Sequence, residues 1–164
     1  MKTVAKPKIV IIGGGIAGIS CASLLHKQGY PVVVNERESG VPCKGNAFLM
    51  HTEGFDLLQS LIDIETLIEI PGKTIDTFIL NRPDETEVKY LKMEPWQCCK
   101  RKDVVRFLYS LIPHSLIKSG RVFSHFLYER HTAVAAVFKN GDIEYGDIFI
   151  GADGAHSGVR QELF

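Results

Sequence analysis

Lys8-Ile9-Val10-Ile11-Ile12-Gly13-Gly14-Gly15-Ile16-Ala17-Gly18 is the stretch whose reading decides the fold. Its apolar run reads as a buried strand, and after the glycines Ile16, Ile19, Ala22 and Leu25 recur at helical spacing. A strand, a glycine turn and a helix in that order aim the helix N-terminus, with its unpaired N–H groups and positive dipole end, at a diphosphate. Gly13 allows the tight turn, Gly15 removes the Cβ that would block a pyrophosphate, and Gly18 lets the helix pack closely on the strand. A second apolar run, Pro31-Val32-Val33-Val34-Asn35-Glu36, ends in a carboxylate close to the roughly 20-residue spacing of a ribose-binding acid. Glu36 is expected to accept hydrogen bonds from an adenosine ribose and to repel a 2′-phosphate, which suits FAD or NAD and not NADP here.

The segment from Lys2 to Leu25 imitates a secretory signal, with Cys21 where a lipid-attached cysteine would sit. Three adjacent glycines followed by a correctly placed Glu36 make the nucleotide fingerprint the better account. With 164 residues, 45% of them apolar, the chain can bury one real core. Nineteen basic residues balance nineteen acidic ones, so no nucleic-acid partner is expected. No apolar run reaches the roughly 18 residues of a membrane span. Cys21, Cys43, Cys98 and Cys99 lack metal-ligand spacing, so no metal site is expected and reduced thiols in a cytoplasmic protein are the default. A redox role for Cys43 or the Cys98-Cys99 pair stays open. The six histidines show no partner pattern and read as surface or packing residues.

Beyond a polar turn from Glu38 to Gly45, Asn46-Ala47-Phe48-Leu49 leads into a helix-like stretch through Leu57, Leu58, Leu61, Ile62 and Leu67. Strand-like runs Ile75 to Leu80 and Glu87 to Leu91 flank a hairpin turn at Asn81-Arg82-Pro83-Asp84. A simple nicotinamide dehydrogenase domain would keep alternating strands and helices here. Arg101 opens a helix with Val104, Val105, Leu108, Leu111 and Ile112 as its apolar face, stopped by Pro113. Short strands follow over Val122 to Tyr128, Ala133 to Phe138 and Ile143 to Tyr145, the Asn140-Gly141 pair marking a hairpin.

A last apolar run, Asp147-Ile148-Phe149-Ile150, delivers Gly151-Ala152-Asp153-Gly154-Ala155-His156-Ser157. This places one carboxylate at a strand's C-terminal end, flanked by residues too small to obstruct a ligand, at the edge where open α/β sheets bind. Asp153 suits ribityl hydroxyls, Gly154 admits a close diphosphate, Ser157 suits a helix cap and Arg160 a phosphate. Alone, the segment reads better as a tight turn with a capping serine and a surface arginine.

Taken together, Gly13-Gly14-Gly15-Ile16-Ala17-Gly18, Glu36-Arg37, Arg101 with Val104 and Leu108, and Gly151 through Arg160 resemble the N-terminal part of a class A flavoprotein monooxygenase. Para-hydroxybenzoate hydroxylase and the ubiquinone-pathway hydroxylases belong to that group. The resemblance implies an α/β fold: a Rossmann-like FAD-binding domain with a parallel sheet, plus a β-meander and the start of an antiparallel substrate-domain sheet. It implies one FAD-binding domain over residues 1–164, incomplete, with 73–93 a β-hairpin excursion belonging to the substrate-side sheet and the rest of the substrate domain absent. By resemblance, Gly13, Gly14, Gly15, Ile16, Ala17, Gly18, Glu36 and Arg37 hold the ADP half of FAD, and Arg101, Asp153 and Gly154 reach the cofactor. Lys44, Gly45 and Asn46 lie where the family's chain passes the isoalloxazine.

NADH or NADPH is implied as reductant, with dioxygen and an aromatic or similar small molecule as substrates. Alternatives are a flavin reductase of the geranylgeranyl-reductase type and a non-catalytic FAD-binding remnant. Val104 stands where the family more usually has leucine, a mild change. Because members continue roughly as far again, the chain is expected to be a fragment, inactive alone and prone to self-association through an uncovered apolar sheet.

Overall fold

The computed structural model describes residues 5–42, 45–61 and 72–164. Along the chain, β1 (Ile9–Ile12), α1 (Ile16–Lys27) and β2 (Val32–Glu36) come first. They are followed by β3 (Ala47–Met50), α2 (Thr52–Ser60), β4 (Lys73–Asn81), β5 (Glu87–Lys100) and α3 (Arg101–Ser110). After a 3-10 turn at His114–Leu116 come β6 (Ile117–Ser119), β7 (Phe123–Glu129), β8 (Thr132–Phe138), β9 (Ile143–Tyr145), β10 (Ile148–Gly151) and α4 (Gly158–Leu163). These elements form two compact units, Met1–Cys43 with Val105–Phe164, and Lys44–Val104.

The first unit is built on a parallel sheet in the order β10-β1-β2-β6. Every residue of β1 and β2 is buried, as expected of parallel strands covered on both faces. Each fully buried Ile or Val there contributes about 1.5–3 kcal/mol. From β1 the chain steps outward to β2 and β6, then returns to add β10 on the other side of β1. The order therefore reverses beside β1, with Ile12 paired to Asn35 on one side and Gly151 on the other. The β7-β8-β9 meander packs on this sheet through Phe123, Phe126 and Phe138, which cluster with Ile12, Val159 and Phe149. Phe126 stands edge-on to Phe149 with ring centroids 5.2 Å apart.

The second unit is an antiparallel sheet in the order β3-β5-β4 with α2 beside β5. Arg82 and Thr86 close the hairpin turn, the Arg82 N–H donating to the Thr86 carbonyl at 2.9 Å. Past Thr77 the ribbon has apolar residues on both faces. Cross-strand pairing puts Phe78 with Leu91 on one face and Ile79 with Tyr90 on the other, and all four are exposed.

Several elements depart from the sequence-based expectation. Ala47–Met50 is a strand rather than a lead-in to a helix, because it pairs with Gln97–Lys100 of an unexpectedly long β5. The hairpin thus runs to Lys100 and not to 93. The helix expected through Leu67 spans Thr52–Ser60 with Leu61 as its C-cap, while Ile62 and Leu67 lie outside the described residues. Strand β6 went unread because its three residues carry no alternation and are defined by parallel pairing with Val34–Glu36.

Where α1 crosses β1, a Cβ at Gly18 would collide with the Gly13 carbonyl oxygen and sit 3.3 Å from the Ala152 side chain. Gly18→Ala is expected to destabilise the domain by about 1–3 kcal/mol through forced backbone displacement. Urea unfolding measures this, and an unchanged midpoint would contradict the tight helix-to-strand approach.

Candidate functional site

Strands β1 and β10 end side by side, and their two loops meet. The Ala152 N–H donates to the Ile12 carbonyl at 2.7 Å. Gly13 takes a φ of +107°, and a Cβ there would run into the backbone of Ala152 and Asp153. Two motifs at opposite ends of the sequence thus form one rim at the C-terminal edge of the sheet, beside the point where strand order reverses. Gly15 is the N-cap of α1 in extended conformation, and no side chain caps the helix. The first N–H groups of the helix, at Ile16 and Ala17, are the donors that an α-helix cannot satisfy internally.

Glu36 ends β2 next to this rim and is only 4% exposed. Its Oε2 accepts from the Gly14 N–H at 2.5 Å and its Oε1 from the Glu38 N–H at 2.9 Å. A carboxylate has about four acceptor positions, so capacity for ligand hydroxyls remains. Tyr109 of α3 adds a hydrogen bond from its Oη to the Gly14 carbonyl at 3.0 Å. Arg37 is exposed.

Asp153 is half-buried and turned into its own segment: Oδ1 accepts from the Ser157 hydroxyl at 2.6 Å and Oδ2 from the Val159 N–H at 3.2 Å. Ser157 is the N-cap of α4, accepting from the Arg160 N–H at 2.9 Å. Arg160, expected to meet a phosphate, donates to the Ala155 carbonyl at 2.7 Å. Asp153 therefore shapes the turn, so its removal carries a stability cost that the motif alone did not suggest.

In the second unit, Gly45, Asn46 and Arg101 come together. The Arg101 N–H donates to the Asn46 carbonyl at 3.1 Å. The Arg101 side chain passes over Gly45, where a Cβ would lie 2.7 Å from its Cδ. Lys44 and Cys43 lie outside the described residues.

Behind Glu36 sits a partly buried polar network that the sequence reading missed. Arg121 donates through Nη1 to Asn35 Oδ1 at 2.8 Å and to Glu144 Oε2 at 2.7 Å, and through Nε to Asp142 Oδ2 at 2.8 Å. Lys8 Nζ donates to Glu144 Oε1 at 2.7 Å, and the Arg121 N–H to the Glu36 carbonyl at 2.9 Å. Two cations and two carboxylates balance, which offsets their desolvation. Asn35 is 0% exposed, and its amide orientation is fixed because only Oδ1 can accept from the guanidinium. The missed signal was a lone Asn after three valines in an apolar run.

An open depression of about 440 Å³, lined by Lys8, His26, Tyr30 and Val32 among others, lies at the opposite, N-terminal edge of the sheet, away from this rim. Among the described residues no group of His, Cys, Asp or Glu is placed to hold a metal, and no helix is long and apolar enough to cross a membrane.

A family model described as an FAD binding domain matches residues 6–164. The chain is 30% identical over 165 residues to 3-amino-4-hydroxybenzoate 2-monooxygenase of Streptomyces cremeus, covering 95% of this chain and 42% of that one. It is 28% identical over 170 residues to the FAD-dependent monooxygenase dpmaE of Metarhizium anisopliae, covering 96% and 36%. Among solved structures, 2,6-dihydroxypyridine-3-hydroxylase of Arthrobacter nicotinovorans superposes with a TM-score of 0.82 at 20% identity, covering 98% of this chain and 40% of that one, which shows a shared fold. The chain thus spans less than half the length of these relatives.

Burial pushes the Glu144 carboxyl up, but hydrogen bonds and charge from Lys8 and Arg121 outweigh it and hold the group below its ordinary value of 4.5. A depressed folded-state pKa stabilises the fold above the unfolded value, and that stability is lost as pH falls through the folded value. Glu144→Gln is expected to cost about 1–3 kcal/mol at pH 7 by leaving Arg121 and Lys8 underpaired, and to show a shallower stability loss below pH 4.5 than wild type. Urea melts across that range test this. Parallel pH profiles would remove Glu144 from the acid response.

Proposed function

The chain belongs to the FAD-binding domain family of class A flavoprotein monooxygenases, and from that premise we propose that it is the cofactor-holding part of an NADH- or NADPH-dependent monooxygenase. Its substrate in this reading is an aromatic or similarly electron-rich small molecule. The observation that carries the reading is the meeting of the Gly13–Gly18 loop with Ala152-Asp153 beside the buried Glu36. A glycine-rich rim headed by a helix N-terminus fits a diphosphate, and a buried acid at the end of the adjoining strand fits a ribose. The names of relatives acting on aminohydroxybenzoate and dihydroxypyridine support the substrate class.

In this assignment Gly13, Gly14, Gly15, Ile16, Ala17 and Gly18 form the diphosphate cradle, with Ile16 and Ala17 supplying backbone donors. Glu36 takes the adenosine ribose on its remaining lone pairs, and Arg37 borders it. Asp153 and Gly154 take the ribityl and diphosphate side, while Gly45, Asn46 and Arg101, with Lys44, serve the isoalloxazine end. When bound, FAD accepts electrons from the nicotinamide and activates dioxygen. The protein's own part is to bind and orient the cofactor and to exclude water.

The domain assignment is proposed with it: residues 1–164 form the FAD-binding part, and the β4-β5 ribbon belongs to the substrate side. On this reading the chain alone does not hydroxylate, and the exposed Phe78, Ile79, Tyr90 and Leu91 favour its self-association in the cytoplasm.

Quenching of FAD fluorescence by the purified chain tests the cofactor assignment. Gly15→Val, which puts a branched side chain at the cradle, is expected to abolish binding, and Glu36→Ala to lose about 1–3 kcal/mol. Affinity unchanged in both variants would overturn the assignment. With FAD and NADPH supplied, the chain alone is expected to release its reducing equivalents as hydrogen peroxide. Coupled formation of a hydroxylated product with little peroxide would show instead that these residues suffice.

A further inference from the structure

We propose that Tyr109 is a positioning residue that fixes the Gly14–Gly15 peptide and so aims the Gly15 N–H at the diphosphate of the bound dinucleotide. It rests on the reading of the glycine loop as the FAD cradle and adds to it a residue outside both sequence motifs.

Tyr109 lies in the last turn of α3, a helix that buries Val104, Val105 and Leu108, with the buried Ile112 just beyond its end. It is itself 4% exposed. A phenylalanine would fill the same space, so a hydroxyl on this face calls for a polar partner. That partner is the Gly14 carbonyl, which accepts from Tyr109 Oη at 3.0 Å. The Gly14 N–H is meanwhile held by Glu36 Oε2 at 2.5 Å. Gly14 is thus gripped at both of its backbone polar groups. A Cβ at this position would lie 2.6 Å from the phenol oxygen and 2.9 Å from Glu36 Oε2, so the double grip requires glycine.

The consequence follows from peptide geometry. In a planar trans peptide the carbonyl and the next N–H point in opposite directions. Holding the Gly14 carbonyl against Tyr109 therefore points the Gly15 N–H away from the phenol. Gly15 is the N-cap of α1, so this N–H joins the donors at the head of the helix. If the peptide rotated, a carbonyl oxygen would replace that donor, and a ligand diphosphate would meet repulsion where it had met attraction. The Tyr109 hydroxyl raises the cost of that rotation because the rotation would break its hydrogen bond to the Gly14 carbonyl inside a buried site.

Tyr109→Phe keeps the ring and removes the grip. Wild type and variant are titrated with FAD, ADP and adenosine, with adenosine binding followed by NMR. The variant is expected to bind FAD and ADP about three- to tenfold more weakly and adenosine equally well, since adenosine has no phosphate to meet Gly15. In protein carrying 15N-glycine, the Gly15 amide signal is expected to shift strongly on adding ADP to wild type and weakly in the variant.

Undiminished ADP affinity, or an equal loss for ADP and adenosine, would overturn the role of Tyr109 while leaving the FAD reading intact. Failure of wild type to bind FAD or ADP would overturn the FAD reading and this inference with it. Should the variant fail to fold, the wild-type Gly15 signal still decides: no response to saturating ADP contradicts the proposal.

Discussion

Parallel pairing of β1 with β2 on one side and β10 on the other is the constraint on which the rest of the first unit depends. Parallel strands end at the same edge, so the loop after Ile12, the Glu36 carboxylate and the Ala152-Asp153 turn all emerge together. The pairing has a steric condition. The backbone of Ala152 and Asp153 passes so near Gly13 that no side chain fits there, and α1 in turn lies against the Gly13 carbonyl. Small residues at 13, 18 and 152 thus carry the packing of sheet, loop and helix at once, and the rim is a by-product of how tightly the three are stacked.

The polar groups near the rim are fixed from behind. Glu36 is buried and engaged by the Gly14 and Glu38 N–H groups, so its carboxylate is held in place by the fold itself. Arg121 secures the same strand end by gripping the Asn35 amide and the Glu36 carbonyl, and it ties both to the meander through Asp142 and Glu144. The meander is therefore more than a connection between β6 and β10. It clamps the acid-bearing end of β2 through charge and packs on β1 and β10 through Phe123, Phe126 and Phe138.

Much of this was legible because local chemistry determined it. The strand, glycine turn and helix at residues 8–27, the hairpin turn at Arg82, the start of α3 at Arg101 and the meander all follow from patterns of a few neighbouring residues. The fold class followed from the order of those elements. Elements defined by distant partners were not legible. Ala47–Met50 is a strand only because Gln97–Lys100 lies opposite, and Ile117–Ser119 only because β2 has a free edge. The candidate site divides in the same way. The glycines and Glu36 announce themselves through spacing, whereas Tyr109 and Arg121 act on residues far away in sequence and carry no motif. Asp153 comes beside Gly13 through its backbone, while the hydrogen bonds of its carboxylate to Ser157 and Val159 depend on how α4 folds back, which spacing does not reveal.

The central claim is that the glycine rim where β1 meets β10 is a diphosphate cradle served by the buried carboxylate of Glu36. A crystal structure of the chain grown with FAD tests it most directly. The account predicts electron density for the diphosphate over the N-terminus of α1, within hydrogen-bonding distance of the Ile16 and Ala17 N–H groups, with a ribose hydroxyl on Glu36. Ordered FAD at any other surface, with the Gly13–Gly18 loop holding no phosphate, would contradict it.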